Sequence, residues 1–350
     1  MELPTSERGK GWVSTILILS FLLAMVMIIS AAVGPADIAA LNVAKMLWQR
    51  LPGLGQWHEG DWPAAHSVIV FRVRLPRIVL AALVGSGLAM AGTTYQGLLQ
   101  NSMADPYIIG VSAGASVGAT LGIVLRGSFS FLGLSTVTLM AFLGAVITTF
   151  LVYNIARVGG RVPVGTLLLA GVAVSSFLSA IVSFLMVLSS QSMHEIVYWM
   201  MGSLSGRSWD HVRASLPYLI LGGLVVLFYS RELNLMLLGE DAAHNLGVNV
   251  ERVKAILLTA GSLMAAAAVS VSGVIGFVGL IIPHTVRLLT GPDHRILLPA
   301  AALVGAIFLV AADTLARTIM APAELPVGVI TALAGAPFFL YLLRRQKERR

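Results

Sequence analysis

Charged residues on this chain mark the ends of long apolar runs. Residues 11–35, 78–104, 107–125, 127–156, 162–193, 214–230, 255–283, 296–312 and 325–343 contain no Asp, Glu, Lys, Arg or His. A helix needs ~20 mainly apolar residues to cross the hydrocarbon core, so these runs predict at least nine spans. Glycines break the 255–283 run, and a tenth span is expected to begin near Val274. The pattern predicts an all-α polytopic membrane protein with about ten transmembrane helices. Nothing separates a soluble domain from it, so residues 1–350 read as one domain. The first run is longer than the apolar core of a signal peptide and no cleavage site follows, so it reads as a retained helix.

The most polar interruption lies between the second and third runs. Gln96, Gln100, Asn101, Asp105 and Pro106 stand there inside otherwise apolar sequence. Polar groups at membrane depth are buried in protein or face a wet cavity. Gly92, Gly97, Gly110 and Gly114 predict close helix approach, and Pro106 favours a break at Asp105. A tight helical hairpin and a turn lining a translocation path both fit; the polarity favours the path.

Composition agrees: 57% of residues are hydrophobic and 11% charged, which excludes a soluble domain of this length. The net charge of +7 matters less than its distribution. An even number of spans puts both termini on one side. Arg8 and Lys10 precede the first span, and Arg344, Arg345, Lys347, Arg349 and Arg350 follow the last, so the positive-inside rule makes that side cytoplasmic. The same topology places Arg157, Arg161, Arg231, Arg252, Lys254, Arg287 and Arg295 inside.

Arg72, Arg74, Arg77, Arg126, Arg207 and Arg317 fall at outer helix ends instead. Snorkelling accounts for Arg126 and Arg207. The cluster of Arg72, Arg74 and Arg77 predicts an external patch that meets an acidic partner.

Two loops are long. Residues 36–70 are external, with Trp48, Trp57 and Trp62 as interfacial anchors. Residues 231–253 are cytoplasmic and read as two short helices separated by Gly239. Glu240 and Asp241 favour the start of the second, and Gly247 stops it. Such helices either lie on the membrane surface or sit in a groove of a cytoplasmic partner, and the residues leave both open. Residues 191–206 predict a short external helix.

Missing chemistry narrows the function. The four lysines, Lys10, Lys45, Lys254 and Lys347, never complete a phosphate-binding Gly-x-x-x-x-Gly-Lys motif, so no Walker-type ATP hydrolysis is expected on this chain. The absence of cysteine excludes disulfides, thiolate metal sites and Cys catalysis. The seven histidines form no close metal-ligand pair, and no nucleophile–base arrangement appears. The chain therefore reads as a transport component rather than an enzyme, with no cofactor or metal of its own and no nucleic-acid partner.

Of Asp105, His284, Asp313, Arg317 and Glu324, most fall near predicted helix ends, not at the midplane where ion-coupled carriers place their relays. Asp313 and Arg317, spaced i,i+4, are expected to pair on one helix face. An ion-gradient-driven secondary transporter is the alternative reading, and its mark would be activity without an ATPase. A membrane scaffold has no use for both the polar break and the outer arginines.

Several segments, in this order and spacing, resemble one family. They are Arg74-Leu-Pro-Arg77, residues 96–115, Leu169-Ala-Gly-Val172, Trp199-Met-Met-Gly-Ser-Leu204, and Leu238-Gly-Glu-Asp-Ala242 with Leu246-Gly-Val248. Gly276-Phe-Val-Gly-Leu-Ile-Ile-Pro-His-Thr-Val-Arg287, Asp293-His-Arg295 and Ala312-Asp-Thr-Leu-Ala-Arg317 follow. Glu324-Leu-Pro-Val-Gly328 and Gly335-Ala-Pro-Phe-Phe-Leu340 complete the series. Over nearly its whole length the chain is similar to the FecCD permeases of bacterial ABC importers for iron siderophores, haem and cobalamin.

That resemblance implies a type II ABC importer permease fold with ten transmembrane helices, in the bacterial cytoplasmic (inner) membrane. It implies a homodimer with the path on its axis, and two cytoplasmic ATPase subunits that carry the ATP and Mg. A periplasmic or lipid-anchored binding protein would dock outside. The family's docking arginines match Arg74, Arg77 and Arg317. Its ATPase-coupling segment matches Leu238, Gly239, Glu240, Asp241, Ala242, Leu246 and Gly247.

One family gate matches the turn 101–106, giving Gln96, Asn101 and Met103 as gate and pathway residues. The usual Asn-Pro-Leu-Ala reads Asn101-Ser-Met-Ala104 here, so a flexible methionine replaces the plug and the turn loses its proline. A second gate matches Val164 and Gly165 at the entry to the fifth span, where some members carry small hydroxyl residues and this chain does not. Choice among siderophore, haem and cobalamin can reside in the binding protein.

Overall fold

The computed structural model describes residues 5–34, 36, 38–49, 62–125, 130–131 and 133–347. Trp57, Arg126, Arg349 and Arg350 lie outside these residues. Each apolar run becomes a helix. In chain order they are α1 (Thr5–Ala32), α2 (Ala40–Gln49), α3 (Ala64–Val68), α4 (Leu75–Leu98), α5 (Val111–Val124), α6 (Thr136–Ala156), α7 (Val164–Leu188) and α8 (Met193–Met200). Then come α9 (Trp209–Phe228), α10 (Ser230–Met236), α11 (Glu240–Asn245), α12 (Val250–Ser272), α13 (Val278–Thr290), α14 (His294–Ala316) and α15 (Val327–Lys347). Apart from a two-stranded hairpin pairing Ser130–Phe131 with Leu134–Ser135, the described residues form no sheet.

Residues 11–32 of α1, with α6, α7, α9, α12 and α14, are six helices long and apolar enough to cross a membrane. α4, at 24 residues, is long enough as well, and it is buried along nearly its whole length. α5, α13 and the apolar part of α15 are shorter. Together these elements make the ten principal helices of the bundle. The break in the 255–283 run falls where α12 ends at Gly273 (φ +69); α13 begins at Val278, four residues beyond the expected point. At 14 and 13 residues, α5 and α13 fall short of the ~20 that a full crossing needs, and non-helical backbone at 99–110 and 273–277 makes up the length.

α4 is the axis of the packing and touches α9, α12, α13 and α14. Membrane helices approach closely where small residues face each other. Gly85 of α4 lies against the backbone of Gly305 on α14, and Gly92 against Gly279 on α13; a Cβ at either would collide with main chain. Gly114 meets Gly144 across α5 and α6, and Gly97 abuts the His294 ring, so the close approaches expected of Gly92, Gly97 and Gly114 are present. Polar bonds add to this packing: Ser86 Oγ donates to the Ala302 carbonyl on α14 (3.0 Å), and the Tyr95 hydroxyl donates to the Leu258 carbonyl on α12 (3.0 Å). α7 differs, with Leu169, Phe177 and Phe184 on a broadly exposed apolar surface.

In the loop after α1, α2 buries Val43 and Met46 and leaves Trp48 exposed. The short helix expected within 191–206 is α8. The two helices expected within 231–253 are α10 and α11, separated by Gly239 at φ +102 and closed by Gly247 at φ +87.

Candidate functional site: a pinned turn and a coupling segment

The first site lies where α1 and α14 end and α4 begins. A π-helical turn, Ile69–Arg74, leads into α4 and directs Arg77 at α14. Arg77 Nε donates to Asp313 Oδ2 (2.9 Å) and Nη2 to Oδ1 (2.9 Å), while Nη1 donates to Glu324 (2.9 and 3.0 Å). This fork geometry is why arginine suits paired carboxylates. Arg74 donates to the carbonyls of Ala31, Ala32 and Ala36, and Arg317 to the Ser30 carbonyl and hydroxyl.

Arg74, Arg77 and Arg317 are thus buried, at 4%, 7% and 3% exposure, with their donors turned inward. Arg72 is the exposed member of the cluster. The i,i+4 pairing expected of Asp313 and Arg317 is replaced: Asp313 receives Arg77 from another helix, and Arg317 reaches across to α1.

The second site is the polar turn 99–110. Gln96 Nε2 donates to the Leu280 carbonyl on α13 (3.0 Å), and Tyr107 Oη donates to the Ile275 carbonyl (3.0 Å), so one shoulder is tied to the first turn of α13 and the other to the break before it. Asn101 Oδ1 accepts the Met103 N–H (2.9 Å) and Asp105 Oδ1 accepts the Tyr107 N–H (2.8 Å). Such side-chain turns hold backbone without a helix or sheet. Ala104 is buried while Met103, at the tip, is 42% exposed. Gln96 is 1% exposed, a strut rather than part of an open wall in this conformation. Val164 and Gly165 open α7 after Pro163; Gly165 faces open space and Val164 is half-buried.

The third site is the segment 230–249 at the same end as that turn. Leu233, Met236 and Ala243 anchor α10 and α11 in the core. Leu238 (65%), Leu246 (59%), Glu240, Asp241 and Gly247 remain exposed, while Gly239 and Ala242 are half-buried. Gln100 Nε2 donates to the Met236 carbonyl. Asn234 Nδ2 donates to Asp293 Oδ1 (2.7 Å), and the His294 N–H donates to Asn234 Oδ1 (2.8 Å). On the other flank, Lys254 Nζ meets Glu240 Oε2 at 2.7 Å, and the Val162 N–H donates to Glu251 Oε2 at 3.0 Å.

In the sequence, Asp293 stands out only within a family segment and Lys254 only as a cytoplasmic charge, while Asn234 and Glu251 carry no signal. Glu251 and Lys254 are spaced i,i+3; their other partners lie in distant segments. Bonds at 162, 234, 251 and 293 gather the loops carrying Arg157, Arg161, Arg231, Arg252 and Arg295 at one end of the bundle.

A bundle of membrane-crossing helices with a pinned polar turn beside an exposed short-helix segment is the build of a transport permease. The model of the FecCD transport family matches residues 21–345. A cobalamin import system permease protein of Halobacterium salinarum is 53% identical over 287 residues, covering 82% of this chain and 76% of its own. A hemin transport system permease protein of Yersinia pestis is 42% identical over 348 residues, covering 97% of this chain and 99% of its own.

A solved inward-facing structure assigned to the metal-chelate type of ABC transporter has a TM-score of 0.81 at 32% identity, covering 94% of this chain and 98% of its own. The chain belongs to the FecCD transport family and is a permease subunit of the ABC importer class with the type II fold. It is a multi-pass membrane protein. Nothing in these comparisons supports the ion-gradient alternative.

Proposed function

We propose that this chain forms half of the membrane pathway of an ATP-driven importer for an iron chelate, haem or cobalamin, working by alternating access. The other half is a second copy, and the exposed apolar surface of α7 suits such a contact. ATP and Mg belong to two ATPase subunits, which meet the segment 238–248 on the cytoplasmic side, where both termini also lie. The exposed coupling segment carries this reading. Its exposed apolar Leu238 and Leu246 flank α11, whose first residues are acidic Glu240 and Asp241, and this pattern suits a groove in a partner. The basic loops gathered at this end favour the same orientation. Met103 and the entry residues Val164 and Gly165 act as the two gates, with Gln96 and Asn101 holding the first in place.

At the opposite end a binding protein docks. Arg72 supplies exposed charge there, and a partner carboxylate reaches Arg77 by displacing Glu324, whose side chain is 27% exposed. Arg74 and Arg317 hold the ends of α1, α4 and α14 beneath that contact.

The test is to replace the exposed coupling face with Leu238→Asp and Asp241→Lys and to co-purify the permease with its ATPase. Losing a central apolar anchor of an interface costs about 2 kcal/mol or more, so ATPase recovery is expected to fall more than tenfold. Normal recovery with normal uptake would remove this segment from the ATPase contact.

A further inference from the structure

α11 stands between two turns, Gly239 (φ +102) and Gly247 (φ +87), in backbone conformations that favour glycine. On these turns alone a six-residue helix is free to pivot without moving α12. Buried Ala243 seats it on the core, and a buried cation ties its first residue to α12. Lys254, near the start of α12, is 4% exposed, yet its Nζ lies 2.7 Å from Glu240 Oε2 and 3.5 Å from Glu251 Oε1. Glu240 is the first residue of α11. The second oxygen of Glu251 accepts the N–H of Val162 at 3.0 Å. Val162 is itself 3% exposed and directly precedes Pro163, which caps α7. One continuous chain of contacts therefore runs from α11 through α12 to the entry of α7.

Stability alone is a poor explanation for this arrangement. The ammonium is buried while its partners Glu240 and Glu251 reach the surface at 44% and 32% exposure, so desolvating Lys254 offsets much of what the two pairs gain. Both carboxylates of this Lys254 clasp, Glu240 and Glu251, line one cleft of about 380 Å³ with Arg161 and Asp241, so the contacts draw the α7 entry and α11 around a shared space.

We infer that Lys254 is a positioning residue that makes α11, the start of α12 and the entry of α7 move as one body. A displacement of α11 then reaches Val164 and Gly165 directly, instead of being absorbed at the glycine turns. Coupling needs an element with two arrangements that both sites bias, and in this inference the α7 entry is that element. The inference rests on the reading of 238–248 as the ATPase-facing segment.

The test uses the whole permease–ATPase–binding-protein complex in proteoliposomes. Uptake and ATP hydrolysis are measured in the same vesicles, with ferric citrate, haemin or cobalamin as cargo, whichever the unaltered complex takes up. Lys254→Met is expected to co-purify with the ATPase and to hydrolyse ATP, but to move roughly tenfold less cargo per ATP, the size of an ordinary coupling energy. Lys254→Arg is expected to restore most of the ratio. Glu251→Leu cuts only the branch to α7 and is expected to show the same loss with Glu240 and Lys254 still paired.

Unchanged cargo per ATP in Lys254→Met and Glu251→Leu would overturn the inference. Loss of ATPase binding by Lys254→Met would overturn it too, because the clasp would then shape the docking surface rather than transmit motion. If Lys254→Met does not fold, Glu251→Leu decides alone. Failure of the underlying reading is separate: Leu238→Asp with Asp241→Lys leaves the clasp intact, so normal ATPase binding by that variant counts against the segment and not the clasp.

Discussion

Arg77 shows how a single side chain can serve two ends. Its fork binds Asp313, which is 1% exposed, and its remaining nitrogen binds the more accessible Glu324. Removing one partner of a buried pair leaves an uncompensated charge and typically costs about 3–5 kcal/mol, whereas replacing both partners by apolar groups is often neutral. Arg77→Leu is therefore expected to lower the unfolding stability of the detergent-purified protein by that amount. The double variant Arg77→Leu/Asp313→Leu is expected to recover most of it in the same denaturation measurement. A single variant as stable as the parent would mean that the ion pair does not hold these helix ends.

Arg72 gives the contrasting case. Because it is exposed, Arg72→Glu is expected to leave stability unchanged and to slow binding-protein association, most strongly at low salt. A salt-independent association rate equal to the parent's would remove Arg72 from the docking surface. The sequence located these arginines by their breach of the charge rule. It could not reveal that three of the four point inward, because their acceptors lie on α1, α14 and the segment before α15. Asp313 and Arg317 illustrate the limit: local spacing predicted their pairing, and the tertiary neighbour 236 residues away prevailed.

Among the elements, the polar turn was legible because Gln, Asn, Asp and Pro are costly in an apolar run. The division of the coupling loop into α10 and α11 was legible from Gly239 and Gly247. The short lengths of α5 and α13 were not. Both stop where the chain leaves helical geometry inside protein, and hydropathy alone carries no sign of such a stop. Gln96 was likewise visible as a polar residue, but its bond to the Leu280 carbonyl needs the α4–α13 contact that Gly92 and Gly279 permit. With both shoulders tied, the movable part of the turn is its tip. A cysteine introduced by Met103→Cys is accordingly expected to label at different rates with and without ATP in the assembled complex. Identical labelling in every nucleotide state would count against a gate at this position.

For the whole molecule, the polar turn, the α7 entry and the coupling segment share one end of the bundle, and the arginine cluster occupies the other. α4 spans the distance between them, packed by glycine against α13 and α14 and by Tyr95 against α12. A partner acting at either end thus pushes on a helix that the rest of the bundle grips. The family motifs fall in the same two groups along the sequence, and the structure places those groups at opposite ends of α4. The clasp through Lys254 was not readable, since it joins residues 162, 240, 251 and 254 only once α6, α7 and α12 have come together.

The most direct measurement is substrate uptake into proteoliposomes holding this chain with and without its ATPase and binding protein, offered a ferric siderophore, haemin and cobalamin in turn. Uptake that requires all three components and ATP, and that favours one of these cargoes, is the predicted result. Uptake by this chain alone under an ion gradient would contradict the account.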